Sequence, residues 1–215
     1  MNFNLCSAFK KCSEPSKKRN TYKKHLDVSA MIIGESKVGK SSILDAINNQ
    51  NFNPSYRRSQ SYDYQNFKLD DENTKCLYNF KVWEVNCVFN LINLKKAKVL
   101  LYVFAYDDLE SFNSICKFRQ MQIYSSSLDQ TFISKPVEFM VGNKSDIQDR
   151  AVDSKVAQEY SQQNDMIYIE TSCLNMESIR NLIDQIIQSI SNITQIQHSS
   201  NSQNKTKINS RVQQN

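Results

Sequence analysis

The chain has 215 residues, a formal net charge of +5 and a hydrophobic fraction of 40%, which is the composition of one globular domain with short tails. No apolar run approaches the roughly 18 residues that span a bilayer, and the first residues lack the apolar stretch of a secretory signal, which predicts a cytosolic protein. The six cysteines form neither a C-x-x-C pair nor a zinc spacing, so we expect reduced thiols.

The two ends of the chain differ in composition from its centre. Residues 1–26 are polar, basic and without periodicity, which predicts a flexible extension, and residues 191–215 are rich in Asn, Gln and Ser, which predicts disorder. The basic cluster of the extension consists of Lys10, Lys11, Lys17, Lys18, Arg19, Lys23 and Lys24. Such a cluster suits an anionic membrane surface, and the alternative is a solvated tail. We expect no nucleic-acid partner.

Segments typical of strands and helices alternate along residues 27–190, which we predict to form one domain. The predicted strands are residues 28–33, 62–69, 76–83, 99–105, 137–141 and 166–170, and the predicted helices are residues 40–49, 111–124, 153–164 and an apolar stripe over 179–190. The second and third strands flank a polar turn, which indicates a hairpin. The fourth is apolar throughout, which is typical of a strand buried on both faces. This alternation predicts an α/β fold with a mainly parallel sheet.

Glycine is scarce in this chain, with three residues where an average composition would give roughly 15. Gly34 and Gly39 lie between the first predicted strand and the first predicted helix, in a run that fits the phosphate-loop pattern G-x-x-x-x-G-K-[ST]. Glycines let such a loop curl so that backbone N–H groups face phosphate oxygens, and the helix that follows adds its positive end. The predicted phosphate-binding residues are Gly34, Glu35, Ser36, Lys37, Val38, Gly39, Lys40, Ser41 and Ser42.

Two side chains of this loop have defined chemical roles. We expect Lys40 to reach the β- and γ-phosphates of a nucleotide, because the loop lysine of this pattern does so. We expect Ser41 to give its hydroxyl oxygen to Mg²⁺.

A second motif, Asn143-Lys144-Ser145-Asp146, follows an apolar strand and the third glycine, Gly142. A carboxylate at Asp146 accepts from two adjacent donors on guanine, whereas adenine presents an acceptor there that a carboxylate repels. The two motifs together predict guanine-nucleotide binding. A phosphate-loop kinase that uses ATP is the rival interpretation, and Asp146 argues against it.

The motifs and their spacing resemble the Ras superfamily, and the Rab branch most closely, over about residues 27–190. The resemblance includes residues 52–56 before the first switch, Trp83 at the end of the third strand, residues 110–112 after the fourth, and residues 170–173, which look like the last guanine motif. It implies the Ras-like P-loop NTPase fold, with a six-stranded, mostly parallel sheet and helices on both faces.

The resemblance also implies ligands, partners and a role. The ligands are GTP or GDP with Mg²⁺, the partners are effector and regulator proteins, and the role is that of a switch in intracellular vesicle traffic, peripheral on endomembranes. For the guanine base it implies Asn143, Lys144 and Asp146, with Lys144 packing along the ring. Ser172 and Cys173 complete the site, where the backbone N–H of Cys173 reaches the guanine oxygen and the family usually has alanine.

The switch regions depart from the family pattern. The first switch of the family carries a threonine that binds Mg²⁺, and Ser59 is the candidate to substitute for it here. After Trp83 the family reads Asp-Thr-Ala-Gly-Gln, whereas this chain reads Glu-Val-Asn-Cys-Val from Glu84 to Val88. Glu84 keeps the carboxylate that belongs near the metal but moves it outward by one methylene, which strains an octahedral Mg²⁺ site.

The run from Glu84 to Val88 also lacks two groups that, by the resemblance, take part in hydrolysis. Cys87 replaces the glycine whose N–H meets the γ-phosphate, which restricts the backbone. Val88 replaces the glutamine that orients the attacking water, and valine has no hydrogen-bonding group, so we assign no catalytic residue. Because phosphoryl transfer depends on positioning and electrostatics, we expect binding to persist and hydrolysis to be slow.

The termini offer a limited set of membrane anchors. The last cysteine is Cys173, inside the base motif, so we expect no C-terminal prenylation, and Asn2 in place of glycine argues against myristoylation. Cys6 and Cys12 beside the basic cluster are candidates for palmitate, which together with that cluster would form a two-part anchor. The alternative is that both cysteines are unmodified.

Two functional hypotheses follow from these observations. The first is an atypical Rab-like small GTPase with weak intrinsic hydrolysis. The second is a GTP-bound adaptor that does not hydrolyse the nucleotide and uses it structurally. Glu84, Cys87 and Val88 favour the adaptor, whereas Lys40, Ser41 and Ser59 keep catalysis possible.

Overall fold

The computed structural model describes residues 24–49, 62–71, 75–86, 97–128 and 135–193. Within these ranges the strands are β1 (Lys24–Ile33), β2 (Tyr62–Asp71), β3 (Cys76–Val85), β4 (Val99–Ala105), β5 (Val137–Asn143) and β6 (Ile167–Glu170). The helices are α1 (Lys40–Asn49), α2 (Leu109–Leu128), α3 (Ser154–Gln163) and α4 (residues 176–193). Every predicted strand and helix is present, and most are longer than the pattern indicated.

The strands form one six-stranded sheet in the order β2-β3-β1-β4-β5-β6. β1 runs parallel to β3 and β4, while β5 runs parallel to β4 and β6. β2 and β3 pair antiparallel, with Phe67 opposite Phe80, which confirms the predicted hairpin. The predicted mostly parallel α/β fold is therefore confirmed.

Alternation along β4 shows how the sheet is covered on both faces. Leu101 and Val103 point into an apolar cluster with helices α1 and α4, whereas Tyr102 and Phe104 point into a second cluster with α2 and α3. All seven residues of β4 are buried, as its continuous apolar run predicted. The sheet therefore has a helical layer on each side.

The apolar stripe of the last helix is buried along its whole length. Its six members are all less than a tenth exposed and belong to the cluster that contains α1, namely Ile179, Leu182, Ile183, Ile186, Ile187 and Ile190. Burial of one face in this way stabilises a helix far more than its intrinsic propensity does. The helix continues to residue 193, three residues beyond the predicted end of the domain.

Side-chain caps fix the start of two helices. The Asp108 carboxylate accepts from the backbone N–H of Ser111 at 3.1 Å at the beginning of α2. Asp153 does the same for Lys155 at 2.9 Å at the beginning of α3. Each carboxylate satisfies a backbone donor that the helix itself leaves unpaired.

Several sequence-based boundaries shift in the structure. β1 begins at Lys24, so the last three residues of the predicted extension are strand. The remaining residues of that extension, and residues 194–215 of the predicted tail, lie outside the described part of the chain. Cys76, Cys116 and Cys173 are free thiols, as expected for the cysteines that the structure describes.

Candidate nucleotide-binding site

The carboxyl ends of β1, β5 and β6 bring the two predicted motifs together. The phosphate loop leaves β1 and enters α1, while the Asn143–Asp146 motif leaves β5. The chain order across the sheet reverses between β1 and β4, and ligands of open α/β sheets bind in the crevice at such a point. The fold therefore places both motifs at the edge where its class binds nucleotides.

The two glycines of the phosphate loop serve different purposes. Gly39 has φ +95°, a conformation that side chains rarely adopt, and a Cβ there would lie 2.2 Å from Nδ2 of Asn143. Gly34 is needed for space, because a Cβ would lie 2.4 Å from the carbonyl oxygen of Val103. Of these two glycines, only Gly39 therefore has the left-handed backbone that curls the loop, whereas Gly34 is required because a side chain would not fit.

A left-handed residue that is not glycine lies between them. Lys37 has φ 68°, and its side chain is exposed. No pattern in the sequence indicates this conformation, because lysine has no preference for it. Three further non-glycine residues of the described chain, Lys75, Lys144 and Asp165, have the same conformation.

Replacing Lys37 by glycine is expected to stabilise the protein by about 0.5–1 kcal/mol. The left-handed conformation costs an L-residue about 1–2 kcal/mol, and the larger entropy of an unfolded glycine offsets part of the gain. Urea unfolding measures the change. Lys37→Ala is the matched control, because it removes the same charge but keeps the Cβ. Equal stabilisation by both variants would show that the charge, not the backbone, is responsible.

Lys40 lies buried at the base of the loop. Its ammonium donates to the carbonyl oxygens of Gly34 at 3.0 Å and Glu35 at 2.8 Å, and to Oδ1 of Asn86 at 3.0 Å. A carboxylate oxygen of Glu84 lies 3.9 Å away. The lysine is thereby held at the N-terminus of α1, where the helix dipole also favours an anion.

Ser41 and Glu84 form the second contact of this region. The Ser41 hydroxyl lies 2.9 Å and 3.0 Å from the two carboxylate oxygens of Glu84, whose side chain is buried. These are hard oxygen donors of the kind that Mg²⁺ prefers, so the residues present fit that ion. The longer glutamate still reaches the serine, which makes Ser41 and Glu84 the candidate metal-holding pair. Ser59, the third metal candidate, lies outside the described residues.

Asn143 connects the phosphate loop to the guanine motif. Its Nδ2 donates to the carbonyl oxygen of Val38 at 2.8 Å, and its Oδ1 accepts from the Thr171 hydroxyl at 3.2 Å. The Cys173 thiol lies 3.9 Å from the same oxygen, and burial raises the pKa of that thiol to about 11. One buried side chain thus ties three loops into a single site.

Asp146 is oriented by the last of these loops. The Ser172 hydroxyl donates to its Oδ1, and the same hydroxyl accepts from the backbone N–H of Leu174 at 3.1 Å. The Asp146 side chain is exposed, so its carboxylate remains open to a ligand from the crevice. Lys144 pairs with both carboxylate oxygens of Asp107 at 2.9 Å, which fixes its ammonium beside the same crevice.

Arg150 supports the guanine motif from behind, and sequence reasoning missed it. Its Nη2 donates to the carbonyl oxygen of Ser145 at 2.7 Å and lies 3.2 Å from the carboxylate of Glu170. The guanidinium also lies over the ring of Tyr106, 4.0 Å from its centroid. The Tyr106 hydroxyl is hydrogen-bonded to that of Tyr168. No local pattern signals the contacts with Glu170 and Tyr106, because they join residues far apart in the chain.

Some predicted site residues fall outside the described part of the chain. These are Cys87 and Val88 of the second switch and the candidate acylation sites Cys6 and Cys12. None of the helices in the described ranges combines the length and apolar character needed to cross a membrane.

The fold and the site define a P-loop NTPase domain. A family model described as "Ras family" matches residues 29–192. GTP-binding protein YPT1 of Saccharomyces cerevisiae is 26% identical over 157 residues, which cover 69% of this chain and 71% of that protein. Ras-related protein Rab-18 of Lymnaea stagnalis is 24% identical over 166 residues, covering 74% and 78%.

A third relative is more similar over a shorter stretch. Ras-related protein RabV of Dictyostelium discoideum is 30% identical over 132 residues, which cover 58% of this chain and 53% of that protein. The chain belongs to the Ras family, and within that superfamily of small GTPases it is Rab-like.

Proposed function

We propose that this protein is an atypical Rab-like switch in vesicle traffic that binds GTP and GDP with Mg²⁺ and hydrolyses GTP slowly. The observation that carries the proposal is the pair of Asn143 hydrogen bonds, to Val38 and Thr171, which join the loop of Lys40 to the motif of Asp146. The family's general use of GTP, GDP and Mg²⁺ and the names of its Rab and YPT relatives support it.

Each part of the crevice has a role in this proposal. Lys40 and the backbone N–H groups before α1 bind the phosphates, while Asp146, held by Ser172, selects the base. Ser41 and Glu84 hold Mg²⁺, which would neutralise charge on the phosphates. Weak hydrolysis follows from Val88, which offers no group to orient water. Effector and regulator proteins are the proposed partners, with the protein peripheral on endomembranes.

The alternative is a GTP-bound adaptor whose nucleotide is structural. Cys87 and Val88 favour it, because they stand where the family has the γ-phosphate glycine and the water-orienting glutamine. In that case the nucleotide would stay bound as GTP over the lifetime of the protein.

One experiment separates these functions. The purified protein is denatured, the released nucleotide is identified by chromatography, and a single turnover of loaded GTP is followed in Mg²⁺. We expect a guanine nucleotide and hydrolysis well below the ordinary intrinsic rate of the family. Hydrolysis at that ordinary rate without an activator contradicts the impaired second switch, and complete retention of GTP selects the adaptor. Retention of ATP in preference to GTP contradicts both.

A further inference from the structure

The contact between Lys40 and Asn86 joins the phosphate loop to the segment that follows β3. Lys40 Nζ donates to Oδ1 of Asn86 at 3.0 Å, across 46 positions of the chain. The family sequence given above has alanine where Asn86 lies, so its usual side chain offers no acceptor there. The carboxamide is therefore a feature of this chain.

Strand register places Asn86 beside the loop. β1 and β3 are parallel with Ile33 opposite Val85, and the backbone N–H of Gly34 donates to the carbonyl oxygen of Val85 at 3.2 Å. Asn86 is the next residue, so its backbone is anchored at the mouth of the loop. The Asn86 side chain is short and partly buried, and from this position its carboxamide oxygen contacts the Lys40 ammonium.

The Asn86 oxygen competes directly with a phosphate oxygen. An ammonium has three N–H donors, and within the described residues Lys40 Nζ donates to oxygens of Gly34, Glu35 and Asn86. Two are backbone carbonyls of Gly34 and Glu35 in the loop itself. The third is a side-chain oxygen on a rotatable bond, so it is the one that yields when a phosphate binds.

The competition falls on the terminal phosphate rather than the inner one. The loop backbone and the N-terminus of α1 face the inner phosphate, whereas the loop lysine reaches both the β- and γ-phosphates. Asn86 approaches Lys40 from the segment after β3, next to Cys87, the position that meets the γ-phosphate in the family. A carboxamide on this side takes the hydrogen bond that a γ-phosphate oxygen would accept.

We propose that Asn86 sets nucleotide preference by competing with the γ-phosphate for Lys40, which biases the site toward the nucleoside diphosphate. The proposal rests on the proposed function for the identity of the nucleotide. It goes beyond that function by assigning a residue that discriminates between the two nucleotide states. The active state would then require either a high GTP concentration or a partner that draws Asn86 away from Lys40.

The test compares affinities for GDP and for a non-hydrolysable GTP analogue, measured on the full chain in Mg²⁺ by competition with a fluorescent nucleotide. Asn86→Ala is expected to shift the affinity ratio toward the triphosphate by roughly 10- to 150-fold, the effect of one hydrogen bond to a charged donor. Asn86→Asp, of nearly the same size, adds negative charge beside Lys40 and is expected to shift the ratio the other way. Asn79→Ala is the control, because Asn79 lies within β3, the strand that precedes Asn86, and its carboxamide pairs with Asp27; we expect it to leave the ratio unchanged.

Inorganic pyrophosphate and tripolyphosphate serve as probes that lack the base. Asn86→Ala should favour tripolyphosphate over pyrophosphate in the same direction. If Asn86→Ala leaves the ratio of triphosphate to diphosphate affinity unchanged, or shifts it toward the diphosphate, the role of Asn86 is overturned even where guanine binding is intact. If Asn86→Ala favours tripolyphosphate as expected but the protein shows no preference for guanine nucleotides, the role of Asn86 is supported and the proposed guanine function is contradicted. No binding of any of these probes overturns both.

Discussion

Replacing Asp146 by asparagine is expected to lower affinity for guanine nucleotides by roughly 10²- to 10⁴-fold and to raise affinity for xanthine nucleotides. A carboxylate accepts from both the N1–H and the amino group of guanine, and each hydrogen bond to a charged acceptor contributes about 1.5–3 kcal/mol. Xanthine has a carbonyl in place of the amino group, which repels a carboxylate and accepts from an asparagine N–H. The Ser172 hydroxyl retains an acceptor in the variant, so the loop keeps its support.

Competition binding with GDP and xanthosine diphosphate measures this change. Asp149→Asn is the matched control, because it removes the same charge from an exposed position three residues further on. We expect the control to bind both nucleotides as the wild type does. If Asp146→Asn keeps guanine preference, the base is bound elsewhere, and if the control shifts preference equally, loop charge alone is responsible.

Local pattern was sufficient to predict the elements of this fold. The continuous apolar run of β4 predicted burial on both faces, and the stripe from Ile179 to Ile190 predicted the buried face of α4; both are confirmed. These predictions succeed because the pattern of apolar residues along a short stretch of chain determines which side chains of a strand or helix are buried. The phosphate loop was recognisable for a related reason, since its chemistry needs fixed residue types at fixed spacing.

The parts that could not be predicted depend on contacts between distant residues. Asn86 meets Lys40 only because β1 and β3 pair in one register, and Arg150 meets Tyr106 and Glu170 only because the fold brings residues after β4 and at the end of β6 to the same place. The left-handed conformation of Lys37 was hidden for a different reason, because lysine has no preference for it. Loop closure, not residue type, imposes that conformation.

Replacing Lys40 by methionine is expected to have two separable effects, on nucleotide binding and on stability. Loss of the ammonium removes a charge-assisted contact to the phosphates, so we expect affinity for GDP to fall by roughly 100-fold or more. The side chains of Lys40 and Glu84 are both 4% exposed, with Nζ and Oε1 3.9 Å apart. Methionine therefore leaves a buried carboxylate without its nearby cation, which is expected to destabilise the protein by about 3–5 kcal/mol.

The double variant Lys40→Met, Glu84→Gln separates the two effects. A neutral glutamine keeps an oxygen that accepts from the Ser41 hydroxyl, so removing both charges should recover most of the lost stability in urea unfolding. Binding of GDP should not recover, because the phosphates still lack their cation. Glu84→Gln alone is the matched control, because it leaves Lys40 its oxygen acceptors in Gly34, Glu35 and Asn86. A double variant as unstable as Lys40→Met would mean that the lysine stabilises the loop through those hydrogen bonds and not through the buried charge of Glu84.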